Sequence, residues 1–458
     1  MNFLRVKQIH FVGIGGIGMS GLAELLKTVG LRVTGSDARE SETTQRLVQL
    51  GIPVFAGHLS DHVAGADVVV YSSAVSEENV EVSAARAAGI PVIKRAEMLA
   101  EVMRFKRGIA IAGTHGKTTT TSMTGAILLA AGLDPTIIVG GRMRDVGNAR
   151  LGRGEWLVAE ADEFDRSFLA LTPLLAVVTN VDLEHLDTYR DLPDLQDAFA
   201  RFSHSVPFFG AALLGLDDPN VQEIRPLIRR RVVTWGLTPQ ADVTARDLVL
   251  ERTGSRFVAV AERTVLGPVT LSVPGLHNVK NALAALSVAR ELEIPFLLAS
   301  RALAEFAGVI RRFERKGERD GVLVYDDYAH HPTEVSATLA AARQVHPDRR
   351  IVALFQPHLY TRTRDFAAHF GAAFLAADVL LVAPVYGSRE APIPGVTGAL
   401  VADAATARGH REARFLETRE EVLPALEAAL LPGDLLITMG AGDVLHFGEE
   451  WLRAGGAA

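Results

Sequence analysis

Two glycine-rich loops constrain this chain more than any other feature. Each lies between an apolar, β-branched run and a stretch of small helix-forming residues: "HFVGIGGIGMSGLAELL" from residue 10 and "GIAIAGTHGKTTTT" from residue 108. A strand–glycine loop–helix unit builds parallel sheets covered by helices and turns backbone N–H groups toward phosphate. In the first loop Gly13, Gly15 and Gly18 follow G-x-G-x-x-G, and Asp37 closes the next predicted strand 19 residues after Gly18. That pattern fits a nicotinamide or flavin, another diphosphate such as a nucleotide sugar, or glycines that serve chain geometry alone. The second loop departs from G-x-x-x-x-G-K-[ST], because Ile111 stands where the leading glycine belongs. Gly113 and Gly116 still free backbone donors, Lys117 brings charge to the β/γ-phosphates, and the Thr118 hydroxyl is placed for Mg²⁺.

The alternation that frames these loops runs the length of the chain and predicts α/β layers. With 458 residues there is too much chain for one core. Three blocks separate, at 1–106, 107–312 and 313–458. In the first, "QIHFVGIGG", "LRVTGSD" and "DVVVYSS" read as strands, with a turn at "AGIPVIKR". The second carries "GIAIAGT", "WLVAEADE" and "LLAVVTNVD", then a β-rich part with hairpin material at "RFVAVAE" and "TVLGPVTLSV". "GVIRRFERKGERDG" reads as a charged linker, and the third block repeats the alternation as a second doubly wound sheet. No cysteine is present, which excludes disulfides and thiolate chemistry, and a net charge of −7 gives no reason to expect nucleic acid. Glycines break the apolar N-terminal run and no apolar stretch of about 18 residues occurs, so a cytoplasmic protein with no membrane partner is expected.

A triphosphate needs its metal held from a second strand. Glu160 ends "WLVAE" and His185 follows "LLAVVTN", so both join Thr118 as metal candidates; the imidazole suggests a second cation site. Asp162, Glu163 and Asp165 crowd the same turn, and some of them must be solvated or paired. Asn278 and Asn281 lie three apart and share a helix face. Asp326 and Asp327 end a strand, suited to a nucleotide or an ammonium, and His358 and Arg362 stand one helical turn apart.

In order, "GTHGKTTTT", "AEADEFD", "TNVDLEHLD", "PGLHNVKNALAA", "RRFE", "DDYAHHPTEV" and "FQPHLYTRTRD" cover most of the chain. Together they resemble the Mur ligases of peptidoglycan synthesis. The resemblance implies three domains: an N-terminal Rossmann-like UDP-binding domain, a central P-loop-type ATPase domain with a small β-rich part, and a C-terminal Rossmann-like domain for the amino acid. It implies an ATP- and Mg²⁺-dependent ligase, monomeric or weakly dimeric, joining L-alanine to the lactyl carboxylate of UDP-N-acetylmuramate through an acyl phosphate. Adding a whole tripeptide to the same sugar nucleotide is the alternative.

By the same resemblance Gly13, Gly15, Gly16, Ile17, Gly18, Asp37, His58, Ser72 and Ser73 would line the UDP pocket. Gly113, Thr114, His115, Gly116, Lys117, Thr118 and Thr119 would hold ATP, with His277, Asn278 and Asn281 toward adenine and Asp326 on the nucleotide. Arg312 would reach the γ-phosphate and act with Lys117, Glu160 and His185 in catalysis, while His330, His358 and Arg362 would face alanine. Leu359 stands where some relatives carry arginine, and Glu184 where aspartate is more usual. No lysine occurs between Lys117 and Lys280, so the carbamylated lysine of several sister ligases has no counterpart. A nicotinamide oxidoreductase would leave the second loop unexplained, and a nucleotide switch would leave the first.

Overall fold

The computed structural model describes residues 5–72, 74–143, 147–186, 188–388 and 390–454. Three sheets succeed one another along the chain. The first holds β1 (Gln8–Val12), β2 (Arg32–Asp37), β3 (Val54–Ala56), β4 (Val68–Tyr71) and β5 (Val92–Lys94). All five run parallel in the order β3-β2-β1-β4-β5. Strand order reverses beside β1, so the carboxyl ends of β1 and β4 part to leave a crevice for a ligand. The segment expected to be a turn at "AGIPVIKR" contains β5; three residues are too few for a period of two to declare itself.

The second sheet holds β6 (Arg107–Ala112), β7 (Thr136–Met143), β8 (Gly147–Arg150), β9 (Trp156–Glu160), β10 (Leu175–Val178), β11 (Ala211–Gly215), β12 (Val232–Gly236), β13 (Val243–Glu251), β14 (Gly254–Ala261) and β15 (Thr264–Leu271). Its order is β15-β14-β13-β12-β11-β10-β6-β9-β7-β8. β6 lies between β9 and β10 and pairs with both in parallel: Ile111 is opposite Glu160 on one side and Val177 on the other. Ile111 is fully buried there, which accounts for an apolar residue where the standard loop has glycine. The hairpin material forms β14 and β15 at the sheet's far edge.

The third sheet holds β16 (Glu314–Arg319), β17 (Val322–Asp327), β18 (Ile351–Phe355), β19 (Val379–Val382), β20 (Ala413–Phe415) and β21 (Leu435–Met439), in the order β16-β17-β21-β18-β19-β20. All pairs are parallel except β16 with β17. β16 corrects the expected linker. "ERKGERDGV" is an antiparallel hairpin whose Asp320 and Gly321 both take positive φ, at 51° and 78°. That is the Asp-Gly signature of a two-residue turn, and the charged residues belong on an edge strand.

By contacts the described chain divides into two compact units. One comprises Met1–Leu248, Arg256–Leu271 and Asn278–Ala307; the other comprises Val249–Ser255, Ser272–His277 and Gly308–Ala458. Within the first unit one apolar core runs from Ile9, Phe11 and Leu22 to Leu157, Phe168 and Phe199, so the first two sheets are packed together. The third sheet buries both faces, with Phe355, Phe370 and Phe374 on one side and Val352, Leu436 and Trp451 on the other. Among the described residues no helix is long and apolar enough to cross a membrane.

Candidate active site

The first loop is set by β1 and β2. Gly13 and Ile14 both donate from backbone N–H to Ser36 O, at 2.9 and 3.0 Å, and Gly15 N–H donates to Asp37 Oδ2 at 2.8 Å. A Cβ on Gly15 would come within 2.9 Å of that carboxylate and of the Thr44 methyl group, so a side chain there would force Asp37 or Thr44 to shift. The helix Ile17–Thr28 starts after Gly16 and carries Gly18 on its first turn; the Ile17 side chain lies outside the described residues. Ser72 follows β4 and donates its N–H to Val12 O at 3.2 Å, and His58 follows β3 with Nδ1 3.0 Å from Ser36 Oγ. The carboxyl edge of this sheet thus gathers Gly13, Asp37, His58 and Ser72; Ser73 lies outside the described residues. A cleft of about 550 Å³ opens beside Asp37, lined by Arg39, Thr44, Gln45, Val48 and Phe55 among others, a volume suited to a small ligand.

The second loop follows β6 and leads into the helix Lys117–Ala130, with Gly116 in the left-handed region at φ 82°. Gly113 has φ 131°, and a Cβ there would fall 1.9 Å from Thr179 Oγ1. The end of β10 holds the loop from the side. Thr179 Oγ1 and Asn180 Nδ2 donate to His115 O at 2.6 and 3.0 Å, and His115 N–H donates to Asn180 Oδ1 at 2.9 Å. Thr114 Oγ1 receives Asp182 N–H at 2.8 Å. Lys117 Nζ donates to Gly113 O and Thr114 O and meets both Glu163 oxygens at 2.9–3.0 Å.

Burial opposes the charge on Lys117, but Glu163, Asp162 and Glu160 outweigh it and raise the lysine pKa. Burial pushes Glu163 up to about 7 against the pull of Lys117. Thr118 Oγ1 donates to Glu160 at 3.0 Å, and Gly140 N–H donates to the same carboxylate at 2.7 Å. Thr119 is buried on the first turn. His185 has Nε2 3.8 Å from Glu163 and 3.9 Å from Glu184. One ligand atom from each of Glu163, Glu184 and His185 lies within 4.8 Å of the others. The hydroxyl and carboxylate oxygens of Thr118 and Glu160 are hard donors that fit Mg²⁺, and the His185 group fits a second divalent cation.

Asn278 and Asn281 are buried on the helix Leu276–Glu291, and Asn281 Nδ2 donates to Asn278 Oδ1 at 3.2 Å. Asn281 Oδ1 receives Thr120 Oγ1 and would lie 2.6 Å from a Cβ on Gly116. This helix therefore abuts the second loop. His277 is held neutral at about 4 by burial first and then by the Arg312 charge.

In the third sheet's unit, Arg362 Nη1 lies 3.1 Å from His358 Nδ1, and the His358 ring is 5.9 Å from those of His330 and Tyr386. The expected trio His330, His358 and Arg362 is brought together, although His358 precedes the helix Tyr360–Ala373. Arg312 reaches Glu334 and sits over Tyr328. The Asp326 carboxylate is fully buried and accepts from Arg311 Nε at 3.0 Å and Thr438 Oγ1 at 2.7 Å, so it ties β17 to β21 and to the segment before β16. The "GAGD" turn beyond β21 joins this lattice, with Gly440 O and Gly442 O accepting from Arg311.

Three family models match in succession. Residues 8–107 match the Mur ligase family catalytic domain, 111–289 the Mur ligase middle domain, and 311–442 the Mur ligase glutamate ligase domain. The chain belongs to the Mur ligase family. This Mur ligase is 52% identical to a UDP-N-acetylmuramate–L-alanine ligase of Geobacter sp. (strain M21), over 98% of the chain and 97% of the relative. It is 53% identical to the ligase of that name from Sorangium cellulosum, over 96% and 94%. The crystal structure of UDP-N-acetylmuramate–alanine ligase from Thermotoga maritima aligns at TM-score 0.82 with 31% identity, covering 98% of this chain and 99% of that one. A murein peptide ligase from Psychrobacter arcticus aligns at 0.74 with 26% identity, over 99% of each.

Sequence reasoning missed the partners inside this Mur ligase's site: Glu163 on Lys117, and Thr179 and Asn180 on the loop. The acidic crowd after Glu160 was the only signal for the first. Asp162 accepts from Phe164 N–H and lies 3.9 Å from Arg95, Asp165 accepts from Ser167 N–H, and Glu163 alone pairs with the lysine.

Proposed function

We propose that this Mur ligase joins L-alanine to the lactyl carboxylate of UDP-N-acetylmuramate at the expense of ATP. The observation that carries the substrate choice is half-identity, end to end, with ligases named for that reaction. Adding a tripeptide instead has weaker support, since the murein peptide ligase stands at 26%. The two loops supply separate phosphate sites, one at the first sheet's crevice and one on β6.

A carboxylate does not condense with an amine in water, because its oxygen is a poor leaving group. The lactyl carboxylate oxygen attacks the γ-phosphorus as the β–γ P–O bond breaks and ADP leaves. The alanine amine, after losing its proton, then attacks the acyl carbon and expels phosphate. Lys117, turned toward the loop by Gly113 O and Thr114 O, offsets charge on the moving phosphoryl group, and Gly113, Thr114, His115, Gly116 and Thr119 frame the nucleotide phosphates. Thr118 and Glu160 would hold Mg²⁺ and His185 a second divalent cation, whose contribution when bound is to neutralise phosphate charge. Asn278, Asn281 and His277 would meet adenine, and Arg312 the γ-phosphate. Asp37, His58 and Ser72, with Gly13, Gly15, Gly16 and Gly18, take the UDP; a bidentate Arg362 suits the alanine carboxylate, with His330 and His358 beside it. Catalysis is then positioning and electrostatics.

The test is ADP release with UDP-N-acetylmuramate, Mg²⁺ and, in turn, L-alanine, glycine, L-serine and the tripeptide. L-alanine should stimulate most strongly. Stimulation by the tripeptide without any by alanine would overturn the assignment.

A further inference from the structure

One carboxylate in the first sheet's domain is wholly enclosed and belongs to no phosphate loop. Glu81, on the helix Val80–Ala87, is 0% exposed. Groups from four elements face it. His10 on β1 brings Nε2 to 3.7 Å, Ser36 on β2 donates its hydroxyl to Oε2, and His58 after β3 brings Nδ1 to 3.2 Å. From the short 3₁₀ turn Ser60–Val63, His62 Nδ1 lies 2.6 Å from Oε1, and Leu59 N–H approaches at 3.3 Å. Among the described residues no lysine or arginine lies within ion-pair distance of Glu81. Burial by itself would raise this carboxyl, but the contacts with His10, Ser36 and His62 outweigh it and hold the pKa at about 2. The group is an anion at neutral pH.

An ionised carboxylate only accepts hydrogen bonds. The single Ser36 hydroxyl proton goes to Glu81, so Ser36 Oγ, 3.0 Å from His58 Nδ1, is also an acceptor toward that ring. Both neighbours of His58 Nδ1 therefore need it to carry a proton. In the neutral ring Nε2 is then the acceptor and the nitrogen left for a ligand. The same carboxylate anchors His62, whose ring stacks on Phe55 at 4.3 Å and 12°. Phe55 in turn lines the cleft beside Asp37.

We propose that Glu81 is a positioning residue of the sugar-nucleotide site, fixing His58 as its Nδ1–H tautomer so that Nε2 accepts from a donor on the nucleoside, a ribose hydroxyl or the uracil imide N–H. This rests on the UDP-site reading above, and it adds which atom recognises which part of the ligand. It also assigns the diphosphate to the glycine loop and not to His58, since a phosphate oxygen offers no proton.

The experiment uses the full-length protein labelled with ¹⁵N-histidine, with His58 identified by the signal lost in H58N. At pH 8, without ligand, long-range ¹H–¹⁵N spectra should show His58 protonated at Nδ1; protonation at Nε2 would overturn the proposal with no variant involved. By calorimetry, E81A should bind UDP about tenfold more weakly than the parent while ATP affinity is kept, the loss of about one hydrogen bond's worth of orientation. E81Q, whose amide oxygen still accepts, should recover to within about threefold. UDP binding by E81A within about twofold of the parent would overturn the proposal. If the parent protein itself fails to bind UDP, the UDP-site reading falls, and the ligand-free tautomer still decides the role of Glu81.

Discussion

Lys117 is a largely enclosed cation, its side chain 14% exposed, that would be costly to hold without Glu163. An ammonium removed from water needs compensation, and Glu163 supplies it from 2.9 Å. Lys117→Ala should therefore lower turnover roughly 100–1,000-fold by removing a stabilising charge, while UDP binding measured by calorimetry stays unchanged. Loss of both would mean that one ligand spans both loops. Asp327 gives a pH prediction. Burial raises its pKa to about 6 against the Arg312 charge and the backbone donors Phe313 and Ala329. The folded value exceeds the unfolded one, near 3.9, so its stabilising contribution is full below about pH 4 and lost as pH rises through about 6. Asp327→Asn removes the titration. The stability difference between it and the parent, followed by hydrogen exchange in β17, should change between about pH 4 and 6 and level off above.

At the scale of elements, the strands that were legible are runs such as "IHFV" and "IVALF", buried on both faces, where β-branched residues need no alternation. β3, β5 and β20, three residues each, left no such trace. β16 reads as a linker because its charged residues mask the Asp-Gly turn that closes its hairpin. The loop glycines were legible, but their tolerances were not, since those depend on what lies opposite. Gly113→Ala would drive a methyl group into Thr179 and should cost about 3 kcal/mol or more. Gly89 also has positive φ, at 69°, yet nothing lies within 4 Å of its would-be Cβ. Gly89→Ala should cost only about 1–2 kcal/mol, and urea unfolding of the two variants measures the gap.

For the whole molecule, motif order along the chain was enough to read three α/β domains and the family. Long-range pairing was not readable. Nothing at position 81 announces that it will meet residues 10, 36, 58 and 62, and nothing at 163 announces Lys117. Two compact units predict that unfolding is not a single transition. UDP at about one hundred times its Kd should raise the transition of the unit holding Met1–Leu248 by about 2.7 kcal/mol. The transition of the unit holding Gly308–Ala458 should stay in place, as calorimetric scans with and without UDP would show.

The second loop does not carry its own shape. His115 is gripped by Asn180, Gly113 lies against Thr179, and Asn281 backs Gly116. Transplanting "GTHGKTTTT" between a strand and a helix of some other scaffold would therefore move the letters without the function. A working graft needs "TNVD" at the end of the adjacent strand and an asparagine-bearing helix behind, so the smallest portable part is three chain segments and not one.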